Sequence, residues 1–168
     1  MIGEMRDYDT AHIGVQSSLT GHLVLSTLHT NDSISAVIRL VDMGIEPYLA
    51  ASCIIGTIAQ RLARHLCPHC KSEDAAPPMI AKHGIQTVYR SVGCRKCNDT
   101  GYRGRLGIYE QFVITEDIRE AIAAGEAVSR LREQARKNGF RTLWEIGLQA
   151  VADGKTSPEE LMRVAGED

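Results

Sequence analysis

The stretch GHLVLSTLHTNDSISAVIRLVDMG, residues 21–44, decides the fold class of this chain. Its first ten residues form an apolar run of strand length with few charges, which is typical of a strand buried on both faces in a parallel sheet. The remainder predicts a helix, because Asn31 or Asp32 suits the N-cap, apolar residues recur at helical spacing and Gly44 suits the end. A buried strand followed directly by a helix indicates an α/β fold.

Helices predominate in the rest of the chain. A helix capped by Asp9 is expected over YDTAHIGVQSSLT, and a further helix begins at Pro47, with its end turning into a strand before Cys67. The segment GRLGIYEQFVIT predicts a strand, and four short helices follow it, each ending in or near a glycine. The cap candidates in that last part are Thr115, Thr142 and Ser157.

Four of the five cysteines form two Cys-x-x-Cys pairs on either side of a segment that contains the predicted loop EDAAPP. These pairs are Cys67 with Cys70 and Cys94 with Cys97. Zinc in structural sites takes four ligands in a tetrahedron, and two thiolates on each of two tight turns supply them. A closed four-thiolate shell leaves no position for water, so the spacing predicts a structural zinc. His65 and His69 lie close by in sequence and are expected outside this ligand set.

The formal net charge of −2 is unevenly spread along the chain. Residues 1–60 hold six acids and two bases, residues 61–105 hold three acids and nine bases, and residues 106–168 hold twelve acids and eight bases. The basic third contains the four paired cysteines and is the candidate surface for nucleic acid, an acidic partner or a membrane. The sequence shows neither a secretory signal nor an apolar run of about 18 residues, and we expect a cytoplasmic location, which favours metal binding over disulfides.

Two polar motifs follow apolar segments. Glu4 and Arg6 in GEMRD come directly after the apolar start, where nucleoside triphosphatases place the carboxylate that orients a water or holds magnesium. His29 lies at the carboxyl end of the predicted strand, where open α/β sheets bind ligands and the next helix favours an anion such as phosphate. His22 lies at the other end of that strand. By residue pattern alone, ordinary loop positions explain the two histidines equally well, and a Glu and an Arg two positions apart on a surface turn are usually just solvated.

Taken in order, the segments GEMRDYDTAHIGVQSSLTGHLVLSTLHTND, QRLARHLCPHC and GYRGRLGIYE closely resemble the carboxyl-terminal half of the secretion ATPases that power type II secretion and type IV pilus assembly. The resemblance covers essentially the whole chain, including the tail TLWEIGLQAVADGKTSPEEL. The tetracysteine lobe resembles that of the pilus-extension and type II secretion branch. The resemblance implies part of a RecA-like domain of the P-loop NTPase class. It also implies hexameric rings on the cytoplasmic face of the inner membrane, which act with membrane platform proteins.

The resemblance also implies roles for single residues. Glu4 corresponds to the residue that polarises the attacking water and Arg6 lies in the same motif, whereas His22 and His29 belong to the family's histidine box near the nucleotide phosphates. The zinc ligands implied are Cys67, Cys70, Cys94 and Cys97. ATP and magnesium are the expected cofactors of the intact protein. The phosphate-binding motif G-x-x-x-x-G-K-[ST] does not occur in this sequence, so we expect a carboxyl-terminal fragment that is inactive by itself.

These considerations predict three parts in the chain. Residues 1–66 are the end of the RecA-like domain, residues 67–105 are a zinc-binding lobe, and residues 106–168 are a strand followed by a helical carboxyl-terminal subdomain. The alternative is a non-enzymatic module whose basic zinc lobe binds nucleic acid or an acidic protein. Nucleic acid is not the expected partner, because the lobe and its surroundings offer few aromatic side chains for base stacking.

Overall fold

Helices dominate the described part of the chain, which comprises residues 1–166 of a computed structural model. The α-helices in this part are α1 (Tyr8–Leu19), α2 (Ser33–Asp42), α3 (Pro47–Cys53), α4 (Pro78–Ala81), α5 (Glu116–Ala123), α6 (Val128–Lys137), α7 (Leu143–Ala152) and α8 (Pro158–Val164). The strands are β1 (Gly56–Leu66), β2 (Ser72–Ala75), β3 (Thr87–Arg90) and β4 (Tyr102–Val113). Within these residues, no helix has both the length and the apolar character needed to cross a membrane.

The chain folds into two units. Unit 1 contains Met1–Ala59 and Glu110–Phe140, and unit 2 contains Gln60–Tyr109 with the described residues from Arg141 onward. The strands β1 and β4 are hydrogen-bonded neighbours, and each contributes a segment to both units. The boundaries of these units differ from those of the three predicted parts. The division of the chain into those three parts stays a prediction.

The first helices of unit 1 are set by side-chain caps. Asp32 accepts a hydrogen bond from the backbone N–H of Ser35 at 2.7 Å and caps α2, as predicted. For α1 the predicted cap is wrong: Asp7, not Asp9, accepts from the backbone N–H of Thr10 at 2.9 Å. Asp7 has the extended backbone that an N-cap requires, and Asp9 lies inside the first turn of the helix.

The predicted buried strand over residues 21–30 is not formed. Leu23 is 73% exposed and Leu25 is 58% exposed, and no strand is assigned to this segment. A strand buried on both faces needs hydrogen-bonded neighbours and covering helices. The described backbone hydrogen bonds that this segment accepts come from residues 2–5, with Ile2 N donating to Leu25 O at 2.9 Å and Met5 N donating to Thr27 O at 3.0 Å. The segment instead borders a largely apolar groove of about 780 Å³.

Two apolar clusters form the core of unit 1. The first joins helices α2, α5 and α6 to the end of β4, and Ile34, Phe112 and Leu131 are buried in it. The second joins α1 to α2 and α3, and Met5 and Leu28 pack against it. The helix predicted from Pro47 is short, because α3 ends at Cys53 and the predicted strand occupies the eleven residues of β1.

Unit 2 contains a hairpin that the sequence does not reveal. The strands β2 and β3 pair antiparallel, with Ser72 opposite Arg90 and Ala75 opposite Thr87, in a region that includes part of the predicted loop. Three of the four residues of β2 are exposed, so no apolar periodicity marks it. The predicted caps Thr142 and Ser157 both accept hydrogen bonds at the starts of α7 and α8. In unit 1, Thr115 precedes α5 without a side-chain cap bond.

Candidate functional site

Three of the predicted site residues meet in unit 1. Glu4 lies between Arg6 and His29, with Glu4 Oε2 2.6 Å from an Arg6 guanidinium nitrogen and Glu4 Oε1 2.6 Å from His29 Nε2. The Glu4 side chain is only 22% exposed, whereas those of Arg6 and His29 are 74% and 85% exposed. A largely covered carboxylate is therefore flanked by two basic groups that reach into solvent.

The two oxygens of Glu4 are not equivalent. Its Oε1 atom is buried and accepts no hydrogen bond of regular geometry from the described residues, although His29 Nε2 lies 2.6 Å from it. The hydrogen bond from Arg6 lowers the pKa of Glu4 below its ordinary value, and partial burial opposes that shift. The carboxylate is thus ionised at neutral pH and keeps one oxygen in need of a donor.

His22 lies apart from this cluster. Its Nδ1 is 3.2 Å from Thr20 Oγ1 and 3.2 Å from the carbonyl oxygen of Ser17, at the end of α1. It also lines the apolar groove. None of its described hydrogen bonds reaches Glu4 or His29, so unit 1 alone brings together three of the four residues predicted to be catalytic or nucleotide-binding.

A buried carboxylate that sequence reasoning missed lies in the same unit. Glu110 is 2% exposed, and its Oε1 accepts from the backbone N–H of Ser33 at 2.7 Å and from the Ser33 hydroxyl at 2.5 Å. The signal was present in the sequence, because Glu110 shares the inward face of β4 with Ile108 and Phe112. A carboxylate at an apolar register position of a strand is buried only when donors meet it.

The four paired cysteines come together in unit 2, and their sulfur atoms all lie within 4.8 Å of one another. The described contacts are 4.0 Å between Cys67 and Cys94, 3.8 Å between Cys70 and Cys97 and 3.8 Å between Cys94 and Cys97. A tetrahedron with metal–sulfur bonds of about 2.3 Å has edges of about 3.8 Å, so the cluster fits a four-coordinate metal. All are free thiols, since a disulfide needs about 2.0 Å. Neither His65 nor His69 belongs to the cluster.

Backbone hydrogen bonds prepare one of these sulfurs for metal binding. Burial acts to raise the pKa of Cys97, but the backbone N–H groups of Cys94 and Gly101 both donate to its Sγ at 3.2 Å. Together with contacts to the neighbouring thiols, they lower the pKa of Cys97 to about 6. Burial raises the pKa of Cys70 to about 12. Such N–H donors stabilise the thiolate, which is the form that ligates a metal.

A second polar network lies in the same unit. Glu160 is 1% exposed and accepts from Arg64 Nε at 2.9 Å, from the backbone N–H of Arg64 at 2.7 Å and from Arg163 NH2 at 2.6 Å. The Arg64 guanidinium lies 4.1 Å from the ring centre of Tyr102, whose hydroxyl is 2.7 Å from Ser157 Oγ. This network joins the start of α8 to β1 and β4 close in sequence to Cys67.

The chain matches the sequence profile of the family described as "Type II/IV secretion system protein" over residues 1–163. It is 53% identical over 164 residues to the type II secretion system protein HxcR of Pseudomonas aeruginosa, which covers 98% of this chain and 33% of that protein. It is 46% identical over 172 aligned positions to the type IV pilus assembly ATPase PilB of Myxococcus xanthus, with coverage of 96% and 30%. The chain therefore spans about a third of the length of these relatives.

Solved structures show the same fold. The pilus retraction motor PilT with bound ADP aligns with a TM-score of 0.64 at 23% identity, covering 96% of this chain and 37% of that one. The Legionella pneumophila ATPase DotB aligns with a TM-score of 0.65 at 20% identity, again covering 96% and 37%. At these identities the likeness establishes the α/β fold and carries no residue roles.

Proposed function

The chain belongs to the family of type II/IV secretion system proteins, and on that premise we propose that it is the carboxyl-terminal part of a hexameric ATPase that drives type II protein secretion or type IV pilus assembly. In this proposal the ring of six copies works on the cytoplasmic face of the inner membrane with membrane platform proteins. The division into a RecA-like part, a zinc lobe and a helical subdomain is part of the same proposal. Nucleic acid is not among the proposed partners.

The observation that carries the catalytic part of the proposal is the Glu4 cluster. Its ionised carboxylate is held by Arg6 and His29, and its buried Oε1 lacks a regular hydrogen-bond donor. A water molecule is a donor of the right size, and a carboxylate that accepts its proton orients the water for attack on a phosphoryl group. Arg6 balances the charge of this acceptor, His29 contacts it at 2.6 Å, and His22 contributes near the phosphates from the end of α1.

ATP with bound magnesium supplies the phosphoryl group and offsets its negative charge. The motif G-x-x-x-x-G-K-[ST], which cradles phosphates through backbone N–H groups, does not occur in this sequence. The 168-residue chain alone is therefore proposed to be inactive. Its own contribution to the reaction is the water-orienting carboxylate and the basic groups around it.

Zinc is the metal that the cysteine cluster suits best. The thiolates of Cys67, Cys70, Cys94 and Cys97 fill a tetrahedral shell, so the ion is structural and takes no part in hydrolysis. Unit 2 gains from it because the hairpin β2–β3 is short and largely exposed. The proposed role of the ion is to stabilise this lobe of unit 2.

A chimera in which this chain replaces the matching third of HxcR tests the catalytic assignment. Glu4→Gln is nearly isosteric but a poor proton acceptor, so we expect kcat to fall by about 10²–10⁴-fold with ATP affinity retained. Glu120→Gln is the matched control, since Glu120 is an exposed carboxylate on α5 in the same unit, and it should retain full activity. Steady-state kinetics and nucleotide-binding titrations supply both quantities.

Two results would contradict the proposal. Near-unchanged kcat in the Glu4→Gln chimera would remove Glu4 from the catalytic machinery and leave its pair with Arg6 as a structural contact only. Magnesium-dependent ATP turnover by the chain alone would show that it is not a fragment of the motor. Salt-sensitive binding of DNA or RNA by the chain would favour the alternative of a basic binding module.

A further inference from the structure

The first residue of α2 is held through all of its polar groups. Ser33 is 1% exposed, and both its backbone N–H and its hydroxyl donate to Oε1 of Glu110. Its carbonyl oxygen accepts from the Thr57 hydroxyl at 2.6 Å. The backbone N–H at the first position of a helix has no partner within the helix. The N-cap residue Asp32 accepts from the backbone N–H of Ser35 and not from that of Ser33. Glu110 therefore satisfies the backbone N–H of Ser33.

This clamp determines where the His29 loop ends. Leu28 packs against the second apolar cluster of unit 1, and Ser33 is fixed by Glu110, so the chain between them is anchored at both ends. His29, the first residue of that short connection, is largely exposed and makes the contact with Glu4. The side chain of His29 is 85% exposed and has little packing of its own, so its position depends on the backbone of this connection, in which Thr30 Oγ1 also donates to Asp32 O at 3.0 Å.

We propose that Glu110 is a positioning residue for the catalytic cluster: by binding Ser33 it sets the end of the His29 loop and so holds His29 against Glu4. Glu110 does not touch the reacting atoms in this assignment. The inference rests on the proposed function, because it deepens the role of the Glu4 site. Its structural part, the coupling between Glu110 and the contact of His29 with Glu4, is separable from ATP hydrolysis.

Substitutions at Glu110 distinguish the effect of its side-chain length from the effect of its charge. Glu110→Gln keeps a carbonyl oxygen at the same distance from the backbone, so it accepts from Ser33 as before. Glu110→Asp keeps the charge but is one methylene shorter, so it reaches Ser33 only if α2 moves. Glu110→Ala removes the acceptor altogether and leaves two buried donors without it. The order expected for retention of the His29 contact is Gln, then Asp, then Ala.

Nuclear magnetic resonance of the 168-residue chain measures this coupling. In the unsubstituted chain, Glu4→Gln shifts the His29 ring resonances, because the two side chains are in contact. When Glu110→Asp or Glu110→Ala is also present, we expect the change in the His29 ring resonances caused by Glu4→Gln to be at most half as large. In the Glu110→Gln background it should persist. Ile122→Ala, a core truncation on α5 outside the Ser33 hydrogen bonds, controls for loss of stability and should keep the full shift.

The outcomes are decisive in both directions. Full retention of the Glu4→Gln shift in folded Glu110→Asp or Glu110→Ala overturns the inference, and so does equal loss in Glu110→Gln or in Ile122→Ala. If Glu110→Ala fails to fold, Glu110→Asp alone decides.

In the HxcR chimera, Glu110→Asp should lower kcat by about 10–100-fold with the KM for ATP changed less than twofold, as misplacement of a catalytic group does. An unchanged kcat in the Glu110→Asp chimera also overturns the inference about Glu110. If the unsubstituted chimera is inactive, that result counts against the proposed function, and the resonance test alone decides the inference.

Discussion

Glu160 is a buried carboxylate of unit 2 that accepts hydrogen bonds from two arginines. Its burial acts to raise its pKa, but hydrogen bonds from Arg163 and from Arg64, including the backbone N–H of Arg64, lower the pKa of Glu160 to about 2. A buried charge with this many donors is stable as an ion pair, and the loss of either partner is costly. Glu160 is therefore a structural group of unit 2.

This residue makes the stability of unit 2 depend on pH. Its pKa is near 4.5 in the unfolded chain and about 2 in the folded one, so its contribution is complete above about pH 4.5 and is lost as the pH falls from there toward 2. We expect the free energy of unfolding of unit 2 to drop by about 1–3 kcal/mol over that interval because of Glu160, after allowance for solvent around the arginine heads.

Fluorescence of Trp144, the one tryptophan of the chain, follows the unfolding of unit 2 by denaturant at each pH. Glu160→Gln should be less stable at neutral pH and should show a flatter pH dependence than the unsubstituted chain. Equal slopes for the two proteins between pH 4.5 and 2 would contradict the assignment. The pH dependence of Glu160→Gln is subtracted from that of the unsubstituted chain, because other carboxylates such as Asp153 also have lowered pKa values and contribute to both.

At the scale of elements, most of the longer helices were predictable, whereas the short helix α4 and the short strands β2 and β3 were not. The segments of α2, α7 and α8 carry apolar spacing and capping side chains that act locally, so the sequence shows where these helices begin. The strands β2 and β3 have mostly exposed side chains and exist through their pairing with each other, which no local pattern records. Residues 21–30 have a strand pattern, but strand formation depends on neighbours beyond the pattern itself.

Among the candidate site residues, those marked by local sequence motifs could also be predicted, whereas one defined by a long-range contact could not. Local spacing identified the four cysteines, and the resemblance to a known family identified Glu4, Arg6 and His29, which the fold brings together. Glu110 was missed because its importance arises from a contact with Ser33, 77 positions away in the chain. Long-range hydrogen bonds of buried polar residues are invisible to periodicity, although a charged residue on the apolar face of β4 indicates that a partner exists.

A further prediction concerns the hairpin β2–β3 and the cysteine cluster of the same unit. We expect the purified chain to carry one zinc per molecule, and Cys94→Ser to lose it, because three thiolates cannot close the tetrahedron. Since a structural zinc stabilises small lobes by on the order of 10 kcal/mol, amide hydrogens of β2 and β3 should exchange much faster in this variant. Metal analysis by mass spectrometry and hydrogen exchange provide the measurements.

Cys53→Ser is the matched control for this experiment, because Cys53 lies in unit 1, outside the cluster. It should keep both the zinc and the slow exchange. Absence of zinc from chain prepared under reducing conditions, or an equal loss in Cys53→Ser, would contradict the zinc assignment.

At the scale of the whole molecule, unit 1 exposes several large apolar side chains around one groove. Leu23, Leu25, Ile55, Ile58 and Val113 all line the groove of about 780 Å³, and each is at least 58% exposed. Contiguous exposed apolar surface drives association. The 168-residue chain should therefore self-associate at micromolar concentration, through this surface of unit 1.

Sedimentation velocity measures this association. The double substitution Leu23→Lys with Leu25→Lys places two charges on the groove and should move the distribution toward monomer. Tyr48→Lys is the control, because Tyr48 is 59% exposed but does not line the groove, and it should leave the association unchanged. A monomeric unsubstituted chain, or dissociation by Tyr48→Lys alone, would show that the groove is not the surface responsible.

The interleaving of the two units along the chain has a consequence for biosynthesis. The first segment of unit 1 ends at Ala59 and its second begins at Glu110, so a ribosome must translate Gln60–Tyr109 before the missing half appears. At about 5–20 residues per second, this leaves the nascent Ile34 and Val37 face of α2 uncovered for on the order of 3–10 s. Unit 2 in turn is incomplete until α7 and α8 have been translated. We expect the exposed apolar face to be a binding site for ribosome-associated chaperones during these intervals.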